Sequence, residues 1–343
     1  MIPVLSVENM RKSDAWTCEH VTPGRELMAR AARAIFEAVD WRAPVAILCG
    51  SGNNAGDGYA LALLLREHSI PCTVFLLKEK FSADGQYYYE QCLAQGVEIC
   101  LWDGTDFAGF ATVVDCLLGT GFRGEVRGTV RAAIEAVNRS GAYVVSADIN
   151  SGLDGDNGLG DCCVRSDLTV SIGGYQPGHF LNRAKDVMRN KCNCDIGIAP
   201  LDRPYRLMER ADLLPLFAAR PNFSNKGSYG FTALIGGSEN YPGAIRLAAM
   251  ANAAMRSGAG VVRVALPRSL YHDLLPLILE STVFPLPDEG GQLVFDEKEA
   301  AAFIQKCRTV AIGMGIGLGE GAAALLRWLL SHFTGTLIVD ADD

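Results

Sequence analysis

Residues 45–58 read VAILCGSGNNAGDG, and this stretch decides the fold of the first half of the chain. Its first five residues are all apolar, which is typical of a strand buried on both faces of a sheet. A glycine-rich turn follows, and an apolar helical pattern comes after it. Strand, turn and helix in this order indicate a parallel α/β sheet, in which such turns stand at the edge where ligands bind.

The same alternation continues on both sides of this stretch. Residues 10–39 predict two helices, with Thr22-Pro23 as the cap and first-turn proline of the second. Helices are also predicted over 57–68 and 129–140. The predicted strands are 45–49, 72–77, 97–101, 112–116, 143–147, 168–172 and 195–198. We therefore expect a Rossmann-like three-layer αβα domain over residues 1–200.

A second domain follows a polar, proline-containing segment that predicts a linker over 201–221. Its strands and helices start near Phe231, include a predicted helix over 243–257, and end in TLIVDADD. An acidic residue after a buried-type strand is typical of the ligand-facing edge of an α/β sheet. We expect residues 222–343 to be the N-terminal part of a truncated α/β domain, whose open edge strand favours a homo-oligomer.

Composition argues against several classes of protein. The chain has 343 residues, a net charge of −8 and 49% hydrophobic residues, as expected for an ordinary globular protein of about two domains. The negative charge argues against non-specific nucleic-acid binding. We find neither a secretion signal at Met1 nor an apolar run of membrane-spanning length. The expectation is a cytoplasmic protein with a small-molecule substrate and no nucleic-acid or membrane partner.

The eleven cysteines predict free thiols in a reducing compartment. Several of them, such as Cys49 and Cys116, fall in apolar strands. Cys192 and Cys194 form a C-x-C pair, which lacks the C-x2-C spacing of a zinc site. We expect no metal at these cysteines.

Polar residues follow three of the predicted strands. Glycines in the first loop allow a close approach to phosphate, and Asp57 is placed at the start of the next helix, where it could cap. Each aspartate alone could equally be a cap or a loop anchor. Because parallel strands end at one edge, the loops should converge into a small-molecule site. The polar groups are Asn53, Asn54 and Asp57, then Asp115, Gly119, Thr120 and Gly121, then Asp148 and Ser151.

Oxygen atoms from Asn54, Asp115 and Ser151 could also hold a hard cation. One carboxylate among neutral oxygens suits a monovalent or weakly bound ion better than a tightly bound divalent one.

Taken in order, these motifs resemble those of NAD(P)H-hydrate epimerase fused to ADP/ATP-dependent NAD(P)H-hydrate dehydratase. The epimerase motifs appear as MR..D at 10–14, LM..A at 27–31, CGSGNNAGDG at 49–58, DCLLGTG at 115–121 and DINSG at 148–152. YPGA at 241–244 and GMGIGLG at 313–319 are similar to the dehydratase, which has a ribokinase-like fold. The resemblance covers about residues 4–200 and 222–343.

The resemblance implies epimerisation of the R and S forms of hydrated NADH or NADPH, with potassium in the epimerase domain. The complete dehydratase domain would use ADP or ATP, but its nucleotide-binding loops would lie beyond residue 343, so we expect dehydration to be lost. The resemblance assigns catalysis to Asp148 and Lys78, although Lys78 could equally be a solvated lysine at a strand end. It assigns potassium binding to Asn54, Asp115 and Ser151. Substrate binding falls on Asn53, Asn54, Ala55, Gly56, Asp57, Gly119, Thr120, Gly121, Phe122, Arg123, Gly124, Glu125, Asp148, Ala244 and Gly317.

Two positions depart from the family pattern. Ala55 replaces a glycine, which should cost little unless its φ is positive, and Asn150 replaces a proline, which should loosen the loop that presents Asp148. A non-catalytic nucleotide-sensing module of the same fold is the alternative function. A nicotinamide dehydrogenase is disfavoured, because the first turn lacks the G-x-G-x-x-G register and Lys78 stands where an acid is expected.

Overall fold

The computed structural model describes residues 1–202, 205–217, 219–250 and 258–340. The chain divides into two compact units, Met1–Leu213 and Leu214–Asp343.

A seven-stranded sheet forms the centre of the first unit. Its strands are β2 (Val45–Cys49), β3 (Cys72–Leu76), β4 (Glu98–Leu101), β5 (Thr112–Cys116), β6 (Tyr143–Ala147), β7 (Ser166–Ile172) and β8 (Met188–Cys194). They lie in the order β4-β3-β2-β5-β6-β7-β8, and all neighbours run parallel. The predicted class, α/β with a parallel sheet, is confirmed.

Helices cover this sheet because its strands are apolar on both faces. Val45, Ile47 and Cys49 pack in one core with residues of α2 and α3. The alternate residues Ala46 and Leu48 pack in a separate core with α5. The helices of the unit are α1 (Val7–His20), α2 (Gly24–Ala38), α3 (Asn53–Glu67), α4 (Ala83–Ala94), α5 (Gly128–Arg139), α6 (Ala184–Val187) and α7 (Arg210–Leu213).

The strand order reverses between β2 and β5. The chain first moves outward from β2 to β3 and β4, and then returns to place β5 on the other side of β2. The loops that follow β2 and β5 therefore diverge and leave a crevice at the carboxyl edge, the usual ligand position in open α/β sheets.

Three local predictions in this unit are wrong. Residues 195–198 form no strand, because the N–H of Gly197 (φ +91°) turns back to the Asp195 carboxylate at 2.8 Å. The strand at this sheet edge is β8 instead. Asp57 does not start its helix, since α3 already begins at Asn53. Pro23, not Thr22, is the N-cap of α2, and no side chain caps that helix.

A short antiparallel pair ties residues near Met1 to the predicted linker. β1 (Ile2–Val4) pairs with β9 (Tyr205–Leu207). Part of the 201–221 segment thus belongs structurally to the first unit.

A five-stranded parallel sheet forms the second unit, in the order β12-β11-β10-β15-β16. Its strands are β10 (Phe231–Ile235), β11 (Val261–Pro267), β12 (Thr282–Leu286), β15 (Cys307–Ile312) and β16 (Thr336–Val339), with a hairpin of β13 (Asp288–Glu289) and β14 (Gln292–Leu293). Its helices are α8 (Pro242–Met250), α9 (Tyr271–Leu274), α10 (Glu297–Ile304) and α11 (Glu320–His332). Residues 251–257 of the predicted 243–257 helix lie outside the described residues. Within the described sheet, β16 pairs with β15 alone.

No helix in the described parts of the chain is long and apolar enough to cross a bilayer.

Candidate active site

A cavity of about 550 Å³ opens at the carboxyl edge of the first sheet. Its polar lining comes from α1, from the first turns of α3 and α4, and from the loops after β2, β5 and β6. Its apolar lining includes Met10, Leu27, Met28, Ile172, Ile196 and Ile198. Ile196 and Ile198 belong to the segment that was predicted as a strand, and they serve as cavity wall instead. The polar lining includes Arg11, Asp14, Asn53, Asn54, Asp57, Asp84, Thr120 and Asp148.

The three predicted loops converge here through close backbone approaches. A Cβ atom on Gly50 would lie 2.0 Å from the carbonyl oxygen of Leu117, so only glycine allows this contact. A Cβ atom on Gly119 would lie 3.1 Å from Oδ2 of Asp148 and 3.4 Å from Cβ of Asn54. The loops after β2, β5 and β6 therefore meet around Gly119.

Asp148 is a carboxylate held at the cavity wall. The backbone N–H of Thr120 donates to its Oδ2 at 3.0 Å. Burial raises the pKa of Asp148, and the Thr120 hydrogen bond opposes this rise. A carboxyl group with a raised pKa is suited to donating and accepting protons near neutral pH.

Three further carboxyl groups, those of Asp14, Asp57 and Asp84, line the cavity with Asp148, and two of them have raised pKa values. Burial raises the pKa of Asp57 well above its ordinary value, and the charges of Asp148 and Asp14 add to the effect. Burial, followed by the charge of Asp148, also raises the pKa of Asp14. Among the lining residues Arg11 is the only cation, and it is exposed at the mouth.

Asp115 forms the centre of a buried polar cluster behind the cavity. Its carboxylate accepts from the Ser151 hydroxyl at 2.5 Å, the Ser151 N–H at 2.9 Å, the Ser146 hydroxyl at 2.9 Å and the Leu117 N–H at 3.2 Å. Burial raises the pKa of Asp115 although these bonds lower it. In the described parts of the chain, no cationic side chain forms an ion pair with it.

Asn54 supplies the observation that fits a cation. Its side-chain oxygen and nitrogen are both buried without a hydrogen-bond partner. A buried amide oxygen that lacks a donor, together with a buried carboxylate that lacks a cation, matches the oxygen-ligand chemistry of a monovalent ion. The described residues contain no group of three His, Cys, Asp or Glu side chains that could hold a metal.

The two departures from the family pattern are both accommodated. Ala55 lies in the first turn of α3, buried in the core and outside the positive-φ residues, so its methyl group is tolerated. The prediction for Asn150 is wrong, because this residue does not loosen the loop. Its buried amide donates to the Val164 carbonyl at 2.9 Å, the Ser166 hydroxyl at 3.0 Å and the Val187 carbonyl at 3.1 Å.

Several predicted residues lie away from the cavity lining. Lys78 is exposed after β3, and Gly56 packs beneath the site against Met28. The second substrate segment divides at Phe122. Gly119, Thr120, Gly121 and Phe122 line the cavity, whereas Arg123, Gly124 and Glu125 do not.

Arg123 has a structural partner instead. Its guanidinium forms ion pairs with Asp154 at 3.2 Å and Asp156 at 2.5 Å. Asp156 in turn accepts the N–H of Val7 at 2.7 Å. Arg123 and Asp156 thus connect the loop after β5 to the start of α1.

The sequence interpretation assigned no role to Arg11 and Asp14, although both belong to the MR..D motif. They lie at helical spacing with Val7, Met10 and Cys18, so one face of α1 lines the cavity. That spacing was the available signal.

The second unit brings its two predicted residues into one neighbourhood. A Cβ atom on Gly315 would lie 2.7 Å from Cβ of Ala244, and one on Gly317 would lie 2.9 Å from the Gln292 side-chain oxygen. The Ser238 hydroxyl between these loops is buried without a partner. The loops after β10 and β15 therefore enclose a small polar region.

Comparison with known proteins finds a match for each part of the chain. A family model described as YjeF-related protein N-terminus matches residues 24–178, and one described as NAD(P)H-hydrate dehydratase matches residues 232–343. The bifunctional NAD(P)H-hydrate repair enzyme Nnr of Thermanaerovibrio acidaminovorans is 32% identical, over 98% of this chain and 69% of its own length. The chain belongs to the bifunctional NAD(P)H-hydrate repair enzyme family. Its member from Coxiella burnetii is 31% identical, over 89% of this chain and 63% of its own length.

Two solved structures are similar to parts of this chain. A yeast protein is 18% identical, with a TM-score of 0.47, over 60% of this chain and 97% of its own. An ADP/ATP-dependent NAD(P)H-hydrate dehydratase from Bacillus subtilis, co-crystallised with ATP and Mg²⁺, is 28% identical, with a TM-score of 0.32, over 38% of this chain and 44% of its own.

Proposed function

We propose that the first unit of this repair-enzyme family member epimerises the R and S hydrates of NADH and NADPH. The observation that carries the proposal is Asp148, a carboxyl group with a raised pKa on the wall of a cavity built beside a glycine-rich turn. A sensing module would need the turn but no proton-transfer group. The carboxyl groups of Asp148 and Asp57 in one cavity therefore favour an enzyme.

The chemistry requires a proton at a leaving hydroxyl. The ring nitrogen of the hydrate expels the hydroxyl from the neighbouring carbon, which leaves a planar cation, and water then adds to the opposite face. Asp148 would protonate the leaving oxygen and afterwards take the proton from the incoming water. As a carboxylate it would also stabilise the cation. Asp57, whose pKa burial also raises, would donate a hydrogen bond in its protonated form.

We further propose that Asn54, Asp115 and Ser151 hold potassium. A bound potassium ion would supply positive charge next to the buried Asp115 and to a substrate diphosphate. The Asn54 side-chain oxygen without a donor, and the buried Asp115 carboxyl group without an ion-pair partner among the described residues, support this assignment. Lys78, the second predicted catalytic residue, is exposed and lies outside the cavity lining. We therefore propose for it only a secondary role in catalysis.

The test is an assay of the purified chain on the R hydrate, with chromatographic separation of the epimers. We expect conversion faster than the uncatalysed rate. Asp148→Asn should reduce it by roughly 10²–10⁴-fold without unfolding the chain. Asp106→Asn is the matched control, because Asp106 is exposed and lies outside the cavity. Near-normal turnover by a folded Asp148→Asn chain would refute the role of Asp148.

The second unit is proposed to be part of an ADP- or ATP-dependent dehydratase domain, with Ala244 and Gly317 at its hydrate-binding region. The match over residues 232–343 supports this proposal. The measurement is recovery of reduced-cofactor absorbance from the S hydrate with ADP or ATP. Recovery above the spontaneous rate that depends on the nucleotide would support the proposal, and recovery that is the same without nucleotide would contradict it. Size-exclusion chromatography tests the proposed homo-oligomer.

A further inference from the structure

The backbone makes an abrupt turn at Asp148, directly after β6. Its φ is +64°, a region that few residues other than glycine adopt. The N–H of Ile149 donates to the Ala147 carbonyl at 2.8 Å, an i to i+2 bond that defines a γ-turn. A γ-turn with a positive central φ is the rare and strained form. Such strain persists only where the surroundings enforce it.

Two hydrogen bonds from outside hold this turn in place. The N–H of Asp148 donates to the Val170 carbonyl of β7 at 2.8 Å. The carbonyl of Asp148 lies 2.8 Å from Nε2 of His179. His179 is completely buried. Bulk water therefore does not compete with the ring for this bond.

The proton on the imidazole can be assigned from its contacts. The Asp148 carbonyl can only accept, so the 2.8 Å contact places the proton on Nε2. In the neutral ring Nδ1 then accepts the N–H of Gln176 at 3.1 Å, while the Gln176 carbonyl oxygen lies 3.2 Å from the same nitrogen. Burial lowers the pKa of His179 to about 4, so the ring is neutral at pH 7.

Other elements fix the position of this ring. His179 ends the short helical turn Pro177–His179 and forms a capping box with Gln176. Lys191 of β8 donates to the His179 carbonyl at 2.8 Å. The imidazole is thus a rigid donor that approaches Asp148 from a segment 31 residues further along the chain.

We propose that His179 is a positioning residue for the epimerase reaction. Its Nε2–H holds the Asp148 carbonyl, which keeps the γ-turn in its strained form and the Asp148 carboxylate at the cavity wall. This inference rests on the proposed function. Without the bond the turn can relax and the carboxylate moves, and a displacement of about 1 Å can reduce a rate by roughly 10²-fold.

The test compares His179→Gln with His179→Met. The two side chains have nearly the same length and volume, and both lose the acceptor for the Gln176 N–H. Only glutamine can place an N–H where Nε2 stands. We expect His179→Gln to keep kcat within about threefold of the wild type. His179→Met should lose roughly 10–100-fold in kcat with little change in KM, because the substrate-binding groups are untouched.

A third variant keeps the test decisive if His179→Met does not fold. His179→Asn retains an acceptor for the Gln176 N–H but cannot reach the Asp148 carbonyl, so it should be as slow as the methionine variant. Equal kcat for His179→Gln and a folded His179→Met or His179→Asn chain overturns the positioning role. A wild-type chain without epimerase activity overturns the proposed function, and this role with it.

A second readout does not depend on activity. The chain has five histidines, so nitrogen NMR on a histidine-labelled sample can identify His179 by its loss in a variant. We expect a neutral ring with the proton on Nε2 at pH 7. A proton on Nδ1 would mean that Nε2 accepts, and the proposed bond to the Asp148 carbonyl would then be wrong.

Discussion

His179 should make the first unit sensitive to acid, and His179→Gln should remove that sensitivity. Burial lowers the pKa of His179 from 6.5 to about 4 in the folded chain. A pKa lowered by folding contributes stability that is complete above the unfolded value and is lost as the pH falls toward the folded value. Each pKa unit is worth about 1.4 kcal/mol, so acidification from pH 7 to pH 4 should cost about 3 kcal/mol.

Compared with the wild type, His179→Gln should be less stable to unfolding at pH 7 and more stable at pH 4. At pH 7 His179→Gln leaves the Gln176 N–H without its acceptor, which should cost about 1–2 kcal/mol. Toward pH 4 the variant has no imidazole to protonate and should become the more stable protein. Carboxyl groups with raised pKa values, such as Asp57, Asp115 and Asp148, stabilise the folded chain on acidification in both proteins, so their effect cancels.

Denaturant unfolding between pH 7 and pH 4, followed by intrinsic fluorescence, provides the measurement. Three of the four tryptophans, Trp16, Trp41 and Trp102, lie in the first unit and report its unfolding. We expect the two curves of unfolding free energy against pH to cross. Parallel curves would show that His179 titrates normally in the folded chain, and the assignment of a buried neutral imidazole would be refuted.

Three other predictions concern the cavity and its supporting loops. Potassium should raise the melting temperature of the wild-type chain relative to tetramethylammonium at equal ionic strength. Asp115→Asn should abolish this difference. Equal melting temperatures of the wild type in both salts would argue against the ion site. Arg11→Met should raise KM for the anionic hydrate roughly fivefold and leave kcat unchanged. This effect of about 1 kcal/mol should weaken as salt is added. An unchanged KM at low salt would contradict a role for Arg11 in substrate binding. Gly152→Ala should destabilise the chain by roughly 2–4 kcal/mol, because φ is +97° and the new Cβ would lie 2.0 Å from the Cys162 carbonyl oxygen. Gly104→Ala, with φ of +100° and open space around the new Cβ, should cost only about 1 kcal/mol, and equal losses in urea unfolding would contradict the steric argument.

The sheet could be predicted from the sequence because its inner strands are apolar on both faces. The predicted strand 45–49 coincides with β2, and 112–116 and 143–147 coincide with β5 and β6. A continuous apolar run bounded by turn residues leaves little choice of start and end. The segment 195–198 reads Asp-Ile-Gly-Ile, a polar and apolar alternation that also predicts a strand. The turn at Gly197 instead depends on a hydrogen bond to the Asp195 side chain, which the pattern does not show.

The site was only partly predictable, for a related reason. The convergence of the loops after β2, β5 and β6 follows from the direction of parallel strands and needs no coordinates. Whether a residue such as Arg123 faces the cavity or an ion pair depends on a loop elsewhere in the chain. His179 carried no local signal, since its role lies in a bond to a backbone carbonyl 31 residues away.

The amide of Asn150 has a consequence for the order in which the chain acquires activity during synthesis. Two of its acceptors belong to Val164 and Ser166, and the third belongs to Val187. A nascent chain that has emerged only as far as Asn150 already carries Asp148, but it lacks every one of these partners. Because chains emerge from the N-terminus and fold as units, the loop that carries Asp148, the proposed proton-transfer residue, can be fixed only after residue 187 has left the ribosome. Catalytic competence would therefore appear late and abruptly, and a partly synthesised chain would remain inert toward the cofactor pool.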